Sequence, residues 1–141
     1  MIWCQGYSEP NAGSDLASLQ TKAELVNGEW GINGQKIWTS TAQYAHMMFC
    51  LVRTEPDASK HAGISYLLIP MDTPGIEIRP LVDMTLKAGF NEVFFTDVKI
   101  PETNIVGSRG EGWAVANATL GHERGSLAPP DAIMSLSLIH I

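Results

Sequence analysis

Between residues 19 and 101 the chain breaks into short apolar runs of strand length, closed by Gly, Pro, Asn or Asp, which is the punctuation of a β-sandwich or barrel. Residues 19–26 mix Leu, Thr, Ala and Val and stop at Asn27-Gly28, a pair that tolerates the positive φ of a tight hairpin turn. Residues 29–32 can return as the partner strand. Asn33-Gly34 repeats the turn chemistry ahead of Gln35-Lys36-Ile37-Trp38, so the reading here is a meander with two closely spaced turns. Met47–Arg53 and residues 64–69 are continuous apolar runs without polar gaps at helical spacing, as expected of buried strands. Ile76-Glu77-Ile78-Arg79 alternates as a half-exposed strand does, and residues 92–100 form a β-prone run that ends at Pro101. Pattern counting gives about seven strands.

The texture changes after Gly110. Gly112-Trp113-Ala114-Val115-Ala116-Asn117-Ala118-Thr119-Leu120 is Ala-rich with apolar residues at helical spacing, which predicts a helix starting near Gly112. Gly121, Gly125 and Pro129-Pro130 are unfavourable inside a helix and leave its end open. An amphipathic helix takes most of its stability from tertiary packing, and the expectation is that this one has no partner within the chain. Met1-Ile2-Trp3-Cys4 enters directly on a strand-like run, which suggests an internal Met1. Leu136-Ser137-Leu138-Ile139-His140-Ile141 matches a one-frame translation of a transposon-end adapter used to fragment DNA for sequencing. Residues 136–141 are therefore expected to be a sequencing artefact, and His140 carries no functional weight.

A length of 141 residues fits one domain of ordinary size, roughly 100 to 150 residues. With 45% hydrophobic and 17% charged residues the chain can bury a core, unlike a disordered segment. A net charge of −6 with nine Lys and Arg offers no footprint for nucleic acid or an anionic membrane surface. No run reaches the roughly 20 apolar residues of a membrane helix, and no signal peptide opens the chain, so the expected setting is cytoplasmic. Cys4 and Cys50 lack metal or redox spacing and sit in apolar surroundings, which reads as buried thiols in a reducing compartment. His46, His61 and His122 have no ligand spacing, so no metal is expected, and no Gly-x-Ser-x-Gly elbow is present.

The words that carry chemistry lie elsewhere. Tyr7-Ser8-Glu9-Pro10-Asn11-Ala12-Gly13-Ser14-Asp15 resembles the signature of the acyl-CoA dehydrogenase family. Ile32-Asn33-Gly34-Gln35-Lys36-Ile37-Trp38-Thr39-Ser40 is similar to that family's second flavin segment, and Thr73-Pro74-Gly75-Ile76 to one of its loops. Val93-Phe94-Phe95-Thr96-Asp97-Val98-Lys99-Ile100-Pro101 and Leu120-Gly121-His122-Glu123-Arg124-Gly125 follow in the family's order. The resemblance implies a mainly β fold, the family's middle β-domain over residues 1–110, with residues 111–135 opening the helical domain that follows.

It also implies FAD as cofactor and an acyl-CoA thioester as substrate. Gln5 would bind the cofactor, and Tyr7 and Ser8 would lie along the flavin edge, with Ser8 donating near N1 and O2. Trp38 would pack beside the ring, Thr39 would belong to the cofactor site, Ser40 would bond near N5, and Ser14 would contact the CoA moiety. The family's reaction takes a proton from the carbon α to the thioester and passes a hydride from the β carbon to flavin N5. Its base is a Glu, which most members supply from the C-terminal helical domain and a minority just before an Arg on the helix after the β-domain, where this chain has Glu123-Arg124, so both origins stay open. Arg124 would order the region of the substrate carbonyl. The expected partners are an electron-transfer flavoprotein and further copies of the chain, as a dimer or tetramer.

Taken alone, the same residues allow plainer readings. Residues 9–14 are then a turn leading into an Asp-containing cap, Trp38 a core residue, Thr39 to Thr41 a polar loop, and Glu123-Arg124 a solvated pair. Met84-Thr85-Leu86-Lys87-Ala88-Gly89-Phe90-Asn91 replaces a Gly-x-Arg-x-Ser stretch of many relatives, which leaves the acyl chain open. An acyl-CoA oxidase-like enzyme and a non-catalytic β-domain that binds a partner are the alternatives. By itself the 141-residue chain is expected to be inactive.

Overall fold

The computed structural model describes the backbone through residue 127 and side chains through residue 122. Pro129-Pro130 and the stretch 136–141, including His140, lie outside the described residues. Among the described residues eight strands form one sheet: β1 (Trp3–Gly6), β2 (Lys22–Val26), β3 (Glu29–Lys36), β4 (Met47–Arg53), β5 (Ile64–Pro70), β6 (Ile76–Leu81), β7 (Phe90–Pro101) and β8 (Ile105–Val106). A helix, α1 (Gly112–Leu127), follows, starting at the predicted residue and running through both Gly121 and Gly125.

The order across the sheet is β6-β7-β3-β2-β4-β5-β8, with β1 parallel to β4. Strands β1 and β2 share one edge of β4. Trp3 to Gly6 pair with Met47 to Cys50, and Lys22 takes over at Arg53. The segment between them, with the Tyr7 to Asp15 motif, is thereby thrown out of the sheet beside the ends of β1 and β3.

Two apolar clusters explain the continuous runs. Met48, Cys50 and Val52 of β4, with Leu67 and Ile69 of β5, point into a core shared with Trp30, Ile32, Val93 and Ile100. Leu51 of β4 and Ile64 and Tyr66 of β5 point the other way, onto Tyr7, Leu19 and Ala116. Both faces of these strands are covered, so neither can afford alternation. Both cysteines are buried free thiols, as their neighbours suggested.

The helix does have a partner in the chain, which corrects one expectation. Ala116 is buried on the β4–β5 face, with Trp113, Val115 and Leu120 packed around it. The close approach is made at Gly112, where an added Cβ would stand 2.7 Å from the Tyr66 amide nitrogen. The absence of a side chain at the first helical position lets the helix meet the strand, a signal that composition hides.

Asn27-Gly28 makes the foreseen hairpin turn, with φ of 53° and 77°. Asn33-Gly34 does not. β3 runs straight through it, and the register against β7 slips between Ile32↔Val98 and Gly34↔Phe95, a bulge with its extra residue on β7. The Asn33 Oδ1 accepts the Asp97 N–H at 2.9 Å, securing Asp97 at φ 47°. Gly34 is needed for proximity, since a Cβ there would come within 2.5 Å of Thr21 Oγ1. The same dipeptide serves a bulge and a close approach instead of a turn.

Gly112→Ala tests the docking of α1. Helix propensity alone would make it stabilising by up to about 1 kcal/mol. The clash with β5 should instead cost about 1 to 3 kcal/mol in urea unfolding, and a stabilised variant would show that the helix start is free to move.

Candidate functional site

The motif after β1 is anchored from below by charge. Lys36, the last residue of β3, is in phase with Trp30 and Ile32 and is 0% exposed. A bare ammonium there would be prohibitive. Its Nζ donates to Glu9 Oε1 at 2.8 Å and to the Tyr7 carbonyl at 3.1 Å. Glu9 also accepts the Thr21 N–H at 2.9 Å and the Gln20 N–H at 2.6 Å. Burial works to raise the Glu9 carboxyl, but the Lys36 charge and the hydrogen bonds from Lys36, Thr21 and Gln20 outweigh it, holding the group below the usual carboxylate range. Pro10 and Asn11 form the corner between reciprocal Glu9 and Ala12 backbone bonds, so the turn expected from these residue types is present.

Above this anchor, Tyr7 is buried, its hydroxyl bonded to the Tyr66 hydroxyl at 3.1 Å. Its ring meets Phe49 and Tyr66 edge-on, and those two stack at 6.1 Å with planes 4° apart. The next carbonyl, of Ser8, accepts the Ile37 N–H at 2.9 Å and joins the exit of β1 to the exit of β3. Beyond Ile37 the backbone turns sharply, with Trp38 and Thr41 both left-handed at φ 60° and 57°. Trp38 is thereby turned outward, 60% exposed, rather than into the core that its residue type suggests, and its only ring contact described is edge-on to Phe90 at 5.9 Å.

A cleft of about 400 Å³ results, bordered by Gln5, Tyr7, Ser8, Trp38 and Ser40. Five of the six residues singled out for a cofactor meet there. Thr39 does not, because the turn sends its side chain under the surface, 1% exposed, beside Asn91. Ser14 stays on an exposed loop outside the cleft, next to Asp15, which grips Lys60 through both oxygens at 2.6 and 2.7 Å. Glu123 and Arg124 fall within α1, but their side chains lie outside the described ones.

The chemistry of the lining is specific in kind. It presents hydroxyls and an amide beside aromatic faces, and among the described residues no carboxylate, imidazole or ammonium borders it. That donor set suits a large, flat heteroaromatic ring bearing several nitrogen and oxygen atoms, and it is a poor nest for a cation. Among the described residues no three His, Cys, Asp or Glu come together in a metal-holding group. Cys4 borders the cleft, but burial and then the neighbouring Cys50 push its thiol up to about 12, so it offers no thiolate near neutrality. Residue types did not reveal Phe49, Asn91 or the pairing of Glu9 with Lys36. For Lys36 the signal was its phase, a charge on the apolar side of its strand.

Comparison with known proteins gives the family. Residues 4–98 match the sequence profile of the acyl-CoA dehydrogenase middle domain. The chain is 57% identical over 124 residues to the acyl-CoA dehydrogenase IpdE1 of Mycobacterium tuberculosis, a match covering 88% of this chain and 32% of that protein. Among solved structures, the ChsE4-ChsE5 complex of M. tuberculosis superposes with a TM-score of 0.79 at 38% identity, over 86% of this chain and 31% of that one. The Tcur3481-Tcur3483 steroid ACAD superposes at 0.84 and 36%, over 88% and 32%. The chain thus spans about a third of the length of these relatives.

The anchor makes a pH-dependent prediction. Removing one member of a buried pair costs roughly 3 to 5 kcal/mol, and Lys36→Met should show that loss in urea unfolding at neutral pH. The Glu9 carboxyl titrates lower folded than unfolded, so its stabilisation is complete above the unfolded value and drains away as pH falls through the folded one. In Lys36→Met the stranded carboxylate reverses that sign, and mild acid should narrow the gap to the parent. A gap independent of pH would show that Glu9 and Lys36 do not act as a pair.

Proposed function

Because this chain belongs to the acyl-CoA dehydrogenase family, we propose that it is the β-domain of an FAD-dependent enzyme that desaturates an acyl-CoA thioester between its α and β carbons. The supporting observation is the convergence of Gln5, Tyr7, Ser8, Trp38 and Ser40 on one cleft that no charged side chain among the described residues borders. Trp38 gives the ring a wall, the Ser8 and Ser40 hydroxyls give it donors, and Tyr7 is held rigid by Phe49 and Tyr66. Bound FAD supplies the acceptor for a hydride from the β carbon.

The proton from the α carbon goes to a carboxylate, and Glu123 is the proposed base. It lies about three helical turns beyond Gly112. A carboxylate enclosed against an acyl chain rises toward the range of a working base, while the adjacent Arg124 keeps its charge and orders the carbonyl end of the substrate. Ser14, on an exposed loop outside the cleft, is the proposed contact for the CoA portion. An electron-transfer flavoprotein as the oxidant of the reduced enzyme, and assembly of several copies, complete the reading. The ChsE4-ChsE5 relative is itself a complex of two proteins.

Anaerobic mixing of the full-length flavoprotein with acyl-CoA thioesters is the test. The panel includes straight-chain and steroid thioesters, since one structural relative is a steroid ACAD. Loss of the oxidised-flavin absorbance is expected with at least one of them, and Glu123→Gln should slow it by about 10²- to 10⁴-fold. Undiminished reduction in Glu123→Gln would place the base elsewhere. Full-length protein that takes up no flavin would refute the function, and peroxide release at each turnover in air would reassign it as an oxidase. The 141-residue chain by itself should neither retain FAD nor turn over, and flavin absorbance with activity in that chain would contradict this.

A further inference from the structure

The turn bearing Trp38 and Ser40 is held by a residue that does not border the cleft. We propose that Asn91 is a positioning residue, clamping Thr39 from both sides so that Trp38 and Ser40 are presented to the ring; this rests on the flavin reading of the cleft. Asn91 is the second residue of β7 and is 0% exposed. Its backbone carbonyl accepts the Thr39 N–H at 3.1 Å, and its side-chain Nδ2 donates to the Thr39 carbonyl at 3.0 Å. Both backbone polar groups of Thr39 are thus satisfied by one residue, as in a strand pair, although one arm is a side chain.

The second Nδ2 proton goes to Gln43 Oε1 at 2.6 Å, on the single helical turn Ala42–Tyr44, and Gln43 Nε2 reaches back to the Ala88 carbonyl at 3.4 Å. Phe90, just before Asn91, braces the Trp38 ring. Trp38, Thr39 and Gln43 are therefore all tied to the first two residues of β7.

The need for such a clamp is visible in the backbone. Trp38 and Thr41 are non-glycine residues in left-handed conformations within four positions, and such geometry persists only where the surroundings over-determine it. Thr39 Oγ1 and Asn91 Oδ1 are buried with no partner among the described residues, so the polar tether rests on the bonds that Asn91 makes through its carbonyl and Nδ2. Only a side-chain amide fits here. Aspartate has the same shape but would turn an acceptor toward the Thr39 carbonyl and Gln43 Oε1, and leucine would leave both unanswered.

Hydrogen exchange of the full-length apoprotein and FAD titration of the same protein test this in Asn91→Asp and Asn91→Leu. Residues 37–44 should exchange faster while β4 and β5 keep their protection, and the FAD dissociation constant should rise about tenfold, the equivalent of one lost hydrogen bond. With saturating FAD, KM for the acyl-CoA should stay near the parent value. Gln43→Ala keeps the Thr39 bonds and removes only the outer tie, so it should give the same pattern about threefold weaker, and it serves if the Asn91 variants fail to fold. Unchanged exchange at 37–44 with FAD affinity within about twofold of the parent overturns the proposal, as does a loss of protection spread equally over β4 and β5. Parent protein without flavin uptake refutes the function proposed above, and exchange at 37–44 still decides the clamp.

Discussion

A lysine with no exposed surface at the end of β3 is the constraint around which the site is arranged. Its ammonium is tolerable only because Glu9 and the Tyr7 carbonyl reach it, and Glu9 in turn holds the amides that lead into β2. Four pieces of chain are thereby fixed at one point: the exit of β1, the turn after it, the approach to β2 and the end of β3. Replacing such a pair with apolar residues often costs a fold nothing, so its value here lies in specifying geometry. Tyr7 and Ser8 stand on one side of the pair, and the Trp38 turn begins directly beyond it.

The same logic links the helix to the cleft. Gly112 brings α1 against the backbone of Ser65 and Tyr66, Tyr66 is bonded through its hydroxyl to Tyr7, and Tyr7 is a wall of the cleft. Thr54 and Ser65 share a hydroxyl bond of 2.5 Å beneath the helix start, and Ser65 Oγ also receives the Gly110 N–H at 3.0 Å. The start of α1 is therefore fixed relative to the cleft by rigid elements, which is what the proposed proton abstraction by Glu123 would require.

Much of the β architecture was legible because apolar run length reports burial directly. Met47–Arg53 reads as a buried strand because both its faces are covered, and Asn27-Gly28 reads as a hairpin because no other structure uses its φ angles so cheaply. Legibility failed where one residue type serves two ends. Asn33-Gly34 has the chemistry of a turn but supplies a side-chain acceptor and a gap, and Gly112 reads only as the start of a helix but is also the contact that docks it. Around the cleft, the motif words brought Gln5, Tyr7, Ser8, Trp38 and Ser40 together, yet they could not reveal that Thr39 faces inward. That orientation follows from two left-handed residues and from Asn91, fifty-two positions away. Long-range partners of this kind leave no local trace.

In the proposed function, the Glu9–Lys36 anchor and the Trp38 turn together build a flavin-binding cleft. A crystal structure of the full-length protein grown with FAD tests it most directly. The isoalloxazine ring should lie in the cleft, against Trp38 and within hydrogen-bonding reach of Ser8 and Ser40. A ring bound elsewhere, with that cleft filled by protein, would contradict it.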